Sequence, residues 1–175
     1  AYDAGAILGL AVVIAGKGTA DFVHDTLAHT LDGPVDFDDV ADRLIAMVGE
    51  LSSAEAHAGA VPKRVGSFGQ LPAILATPLS MVLTELLQNA IEHGVRDGSA
   101  TVEVEVERLD QQLRIAVADD GAGLPSGFSL ATSPRLGLQI VRTLVEGDLG
   151  GRIELRPRRD GGTRAVIYVP LPAVE

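Results

Sequence analysis

Residues 77–94 read TPLSMVLTELLQNAIEHG, and this stretch decides the fold. Thr77 is a good N-cap and Pro78 suits the first helical position, so a helix is predicted to begin here, run to His93 and stop at Gly94. Its apolar residues share one stripe at helical spacing: Val82, Leu83, Leu86, Leu87, Ala90 and Ile91. Its polar residues share the other stripe: Thr84, Glu85, Gln88, Asn89, Glu92 and His93. On composition alone, this pattern favours an amphipathic surface helix.

Asn89 is the residue that a surface helix does not explain. Asn has a low propensity for the middle of a helix, and Asn89 follows Glu85 by four residues, so that a carboxylate and an amide oxygen point the same way. Such a pair can serve a magnesium ion and an attacking group, because Mg²⁺ takes oxygen ligands and keeps several waters. The Glu-x-x-x-Asn spacing alone occurs by chance in many helices.

A loop motif after the next strand strengthens the case for a ligand site. The sequence DDGAGLP follows residues 113–118, so that Asp119, Gly121 and Gly123 form an Asp-x-Gly-x-Gly turn at a strand end. A carboxylate here can accept a hydrogen bond from an amino-substituted ring, since Gly lets the backbone approach closely. A polar hairpin loop is the alternative interpretation.

Two further glycine motifs follow in order. In RLGLQI, Gly137 lies at the start of a predicted helix, where free amides and the helix dipole favour phosphate. The sequence GGT at residues 161–163 opens the last predicted strand, where it is also compatible with a simple tight turn. Each motif is weak alone, but four motifs in one fixed order indicate a nucleotide-binding site.

The rest of the chain predicts helices packed on a sheet. Val alternates with Glu over residues 101–107, and apolar residues alternate with Arg114 and Ala over 113–119, which predicts a hairpin around 110–111. A helix is predicted after residues 35–37, capped by Asp38 or Asp39 and running to about residue 52. Further predicted elements are one or two short strands within 60–71, a helix over 136–146, and strands at 152–156 and 163–171.

Composition excludes several classes of protein. The 175 residues are 46% hydrophobic but only 3% aromatic, which suits an α/β or α+β core of small aliphatic side chains. The chain has no Cys, which excludes disulfide scaffolds and thiolate metal sites and suits the cytoplasm. A formal charge of -10 opposes a nucleic-acid partner. The longest apolar run, residues 4–16, is too short to span a membrane.

The ordered motifs TELLQNAIEHG, VADDGAGLP, RLGLQIV and GGTRAVIYVPL resemble those of the GHKL superfamily of ATPases. Their residues and spacing are similar to those of its histidine-kinase branch. The resemblance covers residues 37–171. It implies the Bergerat fold, an α+β two-layer sandwich in which helices cover one face of a mixed, mostly antiparallel sheet. It also implies ATP and Mg²⁺ as ligands.

The resemblance assigns roles to individual residues. It implies that Asn89 binds magnesium, Glu85 helps to activate the phosphoacceptor and Asp119 binds adenine. Gly121, Gly123 and Gly137 match its two glycine boxes, Thr163 lies near the adenine, and residues 120–135 form the lid over ATP. The other implied nucleotide contacts are His93, Leu124, Arg135, Leu136 and Leu138. Arg135 stands where many relatives have Gly, and either contacts phosphate or is a solvated lid charge.

Residues 22–44 read FVHDTLAHTLDGPVDFDDVADRL and are similar to the junction between dimerisation helix and ATPase domain in a subfamily of bacterial histidine kinases. This predicts the end of a dimerisation helix in residues 1–34 and the catalytic domain in 35–175. The phosphoacceptor motif of that subfamily is absent, so that the acceptor is expected outside this chain rather than at His24, His29 or His57. The implied partners are a dimerisation domain bearing the acceptor, a response regulator and a possible second copy of the chain.

Two other functions remain open at this point. A protein-serine kinase of the anti-sigma type shares the fold, and a nucleotide-dependent interaction module would bind ATP without transferring phosphate. A dinucleotide site is disfavoured because no Gly-x-Gly-x-x-Gly follows an early strand.

Overall fold

The computed structural model describes residues 33–54, 62–94 and 101–172. The helices of this part are α1 (Phe37–Ala54), α2 (Ala73–Gly94) and α3 (Leu136–Thr143). Its strands are β1 (Pro34–Asp36), β2 (Lys63–Val65), β3 (Gln70–Pro72), β4 (Val102–Leu109), β5 (Gln112–Asp119), β6 (Arg152–Pro157) and β7 (Thr163–Pro170). The apolar run at 4–16, the dimerisation-helix end and the three upstream histidines lie outside the described residues, so those interpretations stay predictions.

Five strands form one sheet in the order β2-β4-β5-β7-β6. Strand β2 pairs with β4 in parallel, and the other neighbours are antiparallel. The alternating Val and Glu residues form the predicted hairpin, in which Val104 lies opposite Val117. Strands β1 and β3 make a separate two-stranded pair. The predicted mixed, mostly antiparallel sheet is therefore confirmed.

The two faces of the sheet differ in chemistry, as period-two alternation requires. Val102, Val104, Leu113 and Ile115 are buried and join the core that the helices complete. The opposite face carries charged side chains that form ion pairs. Glu105 pairs with Arg164 and Glu107 with Arg114 between strands, whereas Glu154 pairs with Arg152 and Arg156 along β6. Helices therefore cover one face only, which confirms the predicted two-layer sandwich.

Helix α2 is the central helix of the domain, and the interpretation as a surface helix is wrong. Its polar residues Ser80, Thr84 and Glu85 are buried together with its apolar stripe. The two hydroxyls donate to carbonyl oxygens one turn earlier, Ser80 to Ala76 at 2.8 Å and Thr84 to Ser80 at 2.9 Å. Buried hydroxyls are thus satisfied within the helix itself. Residues 73–93 are apolar enough to cross a membrane, but 72% of that window is buried in the fold, which identifies a core helix.

Two predicted helix starts are corrected. Helix α2 begins at Ala73 rather than at Thr77, so that Pro78 lies inside it. Proline there removes the helical hydrogen bond to the Ile74 carbonyl, in a first turn where Ile74 is 78% exposed. In α1, the cap is Asp36, whose Oδ1 accepts from the amide of Asp38 at 3.2 Å.

Asp38 has a tertiary role instead of the predicted capping role. Its Oδ1 accepts from the amide of Phe68 at 2.8 Å, and its carboxylate pairs with Arg64 at 2.9 Å. These contacts join the start of α1 to the segment between β2 and β3. Asp39, the other predicted cap, lies in the first turn of α1.

Helix α3 begins at Leu136 as predicted but is regular only to Thr143. A wider turn of the π type continues over Leu144–Asp148. Two backbone hydrogen bonds close the end of this turn, from the Leu149 amide to the Leu144 carbonyl and from the Gly151 amide to the Val145 carbonyl. This turn directs the chain into β6, the edge strand beside β7.

Candidate nucleotide-binding site

A cavity of about 450 Å³ lies between the C-terminal half of α2, the ends of β5, β6 and β7, and the segment that leads into α3. Eight of the sequence-predicted residues line it: Asn89, His93, Asp119, Gly123, Leu124, Arg135, Leu138 and Thr163. Four others do not: Glu85, Gly121, Leu136 and Gly137. The cavity is therefore formed jointly by the helical layer and by one end of the sheet.

Asp119 is the buried carboxylate at the sheet end of the cavity, and it is only 6% exposed. Its Oδ1 accepts from the amides of Gly121 at 2.9 Å and Thr163 at 3.2 Å. Burial raises the pKa of this carboxyl, and the two amide bonds oppose that rise. Within the described part of the chain, Oδ2 accepts no hydrogen bond, which leaves it for a donor inside the cavity.

The turn between β6 and β7 packs directly on the backbone of Asp119. Gly162 has φ +87°, and a Cβ there would collide with the Asp119 carbonyl oxygen. The same carbonyl accepts from Nη1 of Arg158 at 2.8 Å. Only Gly satisfies both the positive φ and the close approach. The GGT motif therefore packs against the Asp119 peptide, in addition to forming a tight turn.

Asn89 projects from α2 and is half-buried. Its Nδ2 donates to the carbonyl oxygen of Glu85 at 2.7 Å, one turn back along the helix. Because an amide nitrogen can only donate to that carbonyl, this bond fixes the side-chain orientation. Oδ1 is then the atom available to the cavity, and a single neutral oxygen fits a cation that completes its shell with phosphate oxygens and water.

Glu85 lies below the cavity lining and is only 7% exposed. Burial raises the pKa of its carboxyl to about 7, and the negative charge of Glu92 adds to the rise. Gly137 of α3 packs against it, since a Cβ on Gly137 would lie 2.5 Å from Oε2. The start of α3 thus covers a carboxyl that exchanges its proton near neutral pH.

The segment between β5 and α3 is held at both ends. The Ala122 amide donates to the His93 carbonyl at 3.3 Å, and the Phe128 amide closes a turn on Pro125 at 3.1 Å. At the other end, Nε2 of Gln139 donates to the carbonyl of Ser133 at 2.8 Å. The segment is therefore anchored to α2 and α3, the two helices that border the cavity.

Residues 75–173 match the family model described as the histidine kinase-, DNA gyrase B- and HSP90-like ATPase. The chain belongs to this family. It is therefore an ATP-binding domain of the GHKL type.

Known relatives of this ATPase domain are sensor histidine kinases. It is 44% identical to sensor histidine kinase PdtaS of Mycobacterium tuberculosis over 151 residues. These residues cover 85% of this chain and 30% of the relative. Over 133 residues it is 33% identical to blue-light-activated histidine kinase 2 of Erythrobacter litoralis, covering 73% of this chain and 37% of the relative. The chain thus spans about a third of the length of these relatives.

Solved structures agree with the fold of the ATPase domain. The histidine kinase domain of a blue-light-activated kinase from Erythrobacter litoralis superposes with a TM-score of 0.73 over 88% of this chain and 72% of that chain, at 23% identity. The catalytic domain of histidine kinase ThkA gives a TM-score of 0.65 over 81% of this chain and 98% of that chain, at 20% identity. At these identities the likeness concerns the fold.

Sequence reasoning missed several residues that line the cavity or contact its lining. Phe128 and Pro125 line the cavity from the segment before α3, and Leu155 lines it from β6. Phe128 is the one aromatic residue of that polar segment, which was a usable signal. Leu155 required knowledge that β6 pairs with β7, where it lies opposite Ala165. The contact of Arg158 with the Asp119 carbonyl could be predicted only from the position of the β6–β7 turn.

Proposed function

We propose that this domain is the catalytic ATP-binding part of a sensor histidine kinase. In this reaction the γ-phosphoryl group of ATP passes to a His on a dimerisation domain and then to an Asp of a response regulator. The observation that carries the proposal is the meeting of Asp119, Asn89 and Thr163 around one cavity, in a chain 44% identical to a sensor histidine kinase. We assign the domain to the cytoplasm, where ATP and response regulators are available.

Asp119 would select adenine. Its Oδ1 is occupied by two backbone amides, so Oδ2 faces the cavity as an acceptor for the amino group of the base. Thr163 lines the same end of the cavity and its amide holds Oδ1 in place. Gly123 brings the backbone of the lid close to the β6–β7 turn, since a Cβ on Gly123 would lie 3.4 Å from the Gly162 carbonyl oxygen.

Asn89 would hold a magnesium ion through Oδ1, with Arg135 and the amides at the start of α3 near the phosphates. When bound, the ion neutralises phosphate charge and orients the transferred group. The chain's own contribution is to place these groups, because phosphoryl transfer leaves little covalent chemistry to the protein. Arg135 is exposed at the border of the cavity, so that its guanidinium can turn toward an anion.

Glu85 would assist the acceptor imidazole by exchanging a proton with it. A carboxyl with a pKa of about 7 is suited to this at neutral pH. Since Glu85 is 7% exposed and Gly137 packs on it, the start of α3 must shift before the imidazole can reach the carboxyl. We infer that entry of the dimerisation domain and exposure of Glu85 occur together.

Phosphoryl transfer from radiolabelled ATP tests the proposal. The domain is incubated with Mg²⁺ and the dimerisation domain of a related sensor histidine kinase. The proposal expects an acid-labile, alkali-stable phosphate on that domain, abolished in Asp119→Ala. An acid-stable phosphate would instead indicate the serine kinase, and tight ATP binding without transfer to any acceptor would indicate an interaction module. The relatives named above are sensor histidine kinases, which favours the first outcome.

A further inference from the structure

We propose that Arg158 is a positioning residue for nucleotide selectivity, acting through the Asp119 peptide from the turn between β6 and β7. This inference rests on the proposed contact of Asp119 with adenine. Arg158 itself does not line the cavity. Its contribution would be to hold the end of β5 so that the Asp119 carboxylate meets the base in one orientation.

The backbone of Arg158 is fixed by its own turn. Its amide donates to the Gly162 carbonyl at 3.0 Å, and its carbonyl accepts from the Gly161 amide at 3.3 Å. These two bonds close the loop that connects β6 to β7. A side chain that starts from a closed turn loses less conformational freedom when it binds, so that the turn presents the guanidinium to β5 in a defined direction.

The guanidinium of Arg158 binds a backbone carbonyl, as that of Arg108 does at Phe68 and Gln70. Nη1 donates to the backbone carbonyl of Asp119 at 2.8 Å, and the side chain is partly buried. Six other arginines of the described chain pair with carboxylates: Arg64, Arg114, Arg142, Arg152, Arg156 and Arg164. Arg158 has no carboxylate within ion-pair distance in the described part of the chain. Its charge acts at longer range on two carboxyls, and it lowers the pKa of both Asp119 and the adjacent Asp120.

Three connections fix Asp119 to this turn. The Thr163 amide holds Oδ1, the Arg158 guanidinium holds the main-chain carbonyl, and Gly162 packs against that carbonyl. Together they restrain both ends of the residue, its carboxylate and its peptide. Misplacement by about 1 Å at a recognition group is enough to weaken binding strongly. Arg158 provides the only charged group among the three.

The charge of Arg158 also affects ionisation of Asp119. Burial raises the pKa of Asp119 and the charge of Asp120 adds to this, whereas the amides of Gly121 and Thr163 and the charge of Arg158 lower it. The other ionisable groups on the cavity are Glu92, His93 and Arg135. An ionised carboxylate is the stronger acceptor for an amino group. Loss of Arg158 should therefore raise the pH below which the nucleotide is released.

The experiment compares Arg158→Gln with Arg156→Gln by calorimetry of Mg-ADP and Mg-GDP binding. Both changes remove one positive charge, but Arg156 is paired with Glu154 on the open face of the sheet, with its side chain 63% exposed. We expect Arg158→Gln to weaken ADP binding about tenfold, from the typical strength of a charge-assisted hydrogen bond. GDP binding should change less, so that the preference for adenine falls, and Arg156→Gln should change neither.

A titration from pH about 8 to about 5 separates positioning from general destabilisation. ADP affinity falls as Asp119 takes up its proton, and this fall should begin at higher pH in Arg158→Gln than in Arg156→Gln. Glu92, His93 and Arg135 are the same in both variants, so that they do not account for a difference between the two pH profiles. Arg158→Lys should restore the pH profile but not the preference for ADP over GDP, since ammonium keeps the charge without the planar geometry.

Two outcomes would overturn the inference. In one, Arg158→Gln matches Arg156→Gln in affinity, preference and pH profile. In the other, ADP and GDP binding fall equally with no change in pH profile, which would mark a merely structural residue. Asp119→Ala is measured in parallel. Normal ADP binding by Asp119→Ala would reject the proposed adenine contact. Weakened binding by Asp119→Ala together with normal binding by Arg158→Gln would reject only the role of Arg158. Arg158→Lys supplies the same comparison if Arg158→Gln does not fold.

Discussion

At the scale of single residues, two carboxyl groups with nearly equal burial have different surroundings. Asp119 is 6% exposed and Glu85 is 7% exposed. Burial raises the pKa of both carboxyls. At Asp119 two amides and a nearby guanidinium oppose the rise, whereas at Glu85 the charge of Glu92 adds to it and the pKa is about 7. Different environments thus prepare one carboxyl to accept hydrogen bonds and the other to exchange a proton.

Replacement of Asp119 tests the first of these roles. We expect Asp119→Ala to weaken Mg-ADP binding by roughly 10- to 100-fold, because the base loses a hydrogen bond to a charged acceptor. Calorimetry measures this directly. Asp120→Ala is the matched control, since Asp120 is an adjacent, exposed carboxylate that accepts from the Thr101 amide at 2.9 Å. Equal affinities for the two variants would contradict the assignment.

Replacement of Asn89 tests the proposed metal ligand. Asn89→Ala removes Oδ1, so that addition of Mg²⁺ should no longer increase ATP affinity, and phosphoryl transfer should fall by roughly 100-fold or more. Binding is measured with Mg²⁺ and with a chelator present. The neighbouring Gln88→Ala serves as control because Gln88 is absent from the cavity lining. A normal magnesium response in Asn89→Ala would place the ion on another residue.

At the scale of elements, the site depends on how α3 and the β6–β7 turn approach α2 and β5. The start of α3 covers Glu85 through Gly137, and the turn covers the Asp119 peptide through Gly162. Both approaches need a residue without a side chain. They differ in the neighbour, which is the end of a flexible side chain in the first case and backbone in the second.

The same substitution at these two glycines should therefore affect stability to different extents. In Gly137→Ala the Glu85 carboxyl can rotate away from the new Cβ, so that stability should change by about 1 kcal/mol or less while phosphoryl transfer falls. In Gly162→Ala, the Cβ meets the Asp119 carbonyl at φ +87°, and roughly 3 kcal/mol or more should be lost.

Urea unfolding and Mg-ADP binding of both variants measure this difference. Gly137→Ala should bind ADP within a few-fold of the unsubstituted protein, because Asp119 is unchanged. A Gly137→Ala variant less stable than Gly162→Ala would contradict the expectation, since the order follows from backbone contact at Gly162 alone.

At the scale of the whole molecule, the proposed ligands come from both layers of the sandwich. The sheet contributes Asp119 and Thr163, and helix α2 contributes Asn89. Nucleotide bound here would connect the layers and stabilise the fold by mass action. The pH dependence of stability also depends on packing between elements, because Glu85 of α2 is buried against the start of α3.

Glu85 should make the domain less stable as pH rises. Its pKa is about 7 in the fold and 4.5 for a glutamate side chain free in water, so that the folded state binds more protons between these values. The contribution of Glu85 to the free energy of unfolding is fully present below pH about 4.5 and is lost as pH rises through about 7. The total loss is up to roughly 3 kcal/mol.

Urea unfolding at pH about 5 and about 8 measures this loss. Glu85→Gln should be relatively more stable at the higher pH, because it keeps the shape without the charge. Glu50→Gln, at an exposed position of α1, controls for the change in net charge. A difference between the two pH values that persists unchanged in Glu85→Gln would assign it to another group.

Much of the fold followed from local patterns. Alternation predicted the β4–β5 hairpin, and eight of the twelve site residues predicted from the motifs line the cavity. The start of α2 was wrong because Pro78 suits a first turn, and sequence does not show that Ile74, whose carbonyl loses the helical hydrogen bond, is exposed in an earlier turn. Arg158 and Leu155 were missed because their roles depend on the pairing of β6 with β7, a contact that no local period encodes.

The ends of the sheet have a consequence for solubility. One edge is β2, only three residues long with Lys63 at its start, and the other is β6, with Arg152 and Arg156 pointing outward and Pro157 at its end. Short, cationic or proline-ended edges resist pairing with a strand from another molecule. If two such domains are held side by side in a kinase dimer, these edges would disfavour pairing between the two sheets.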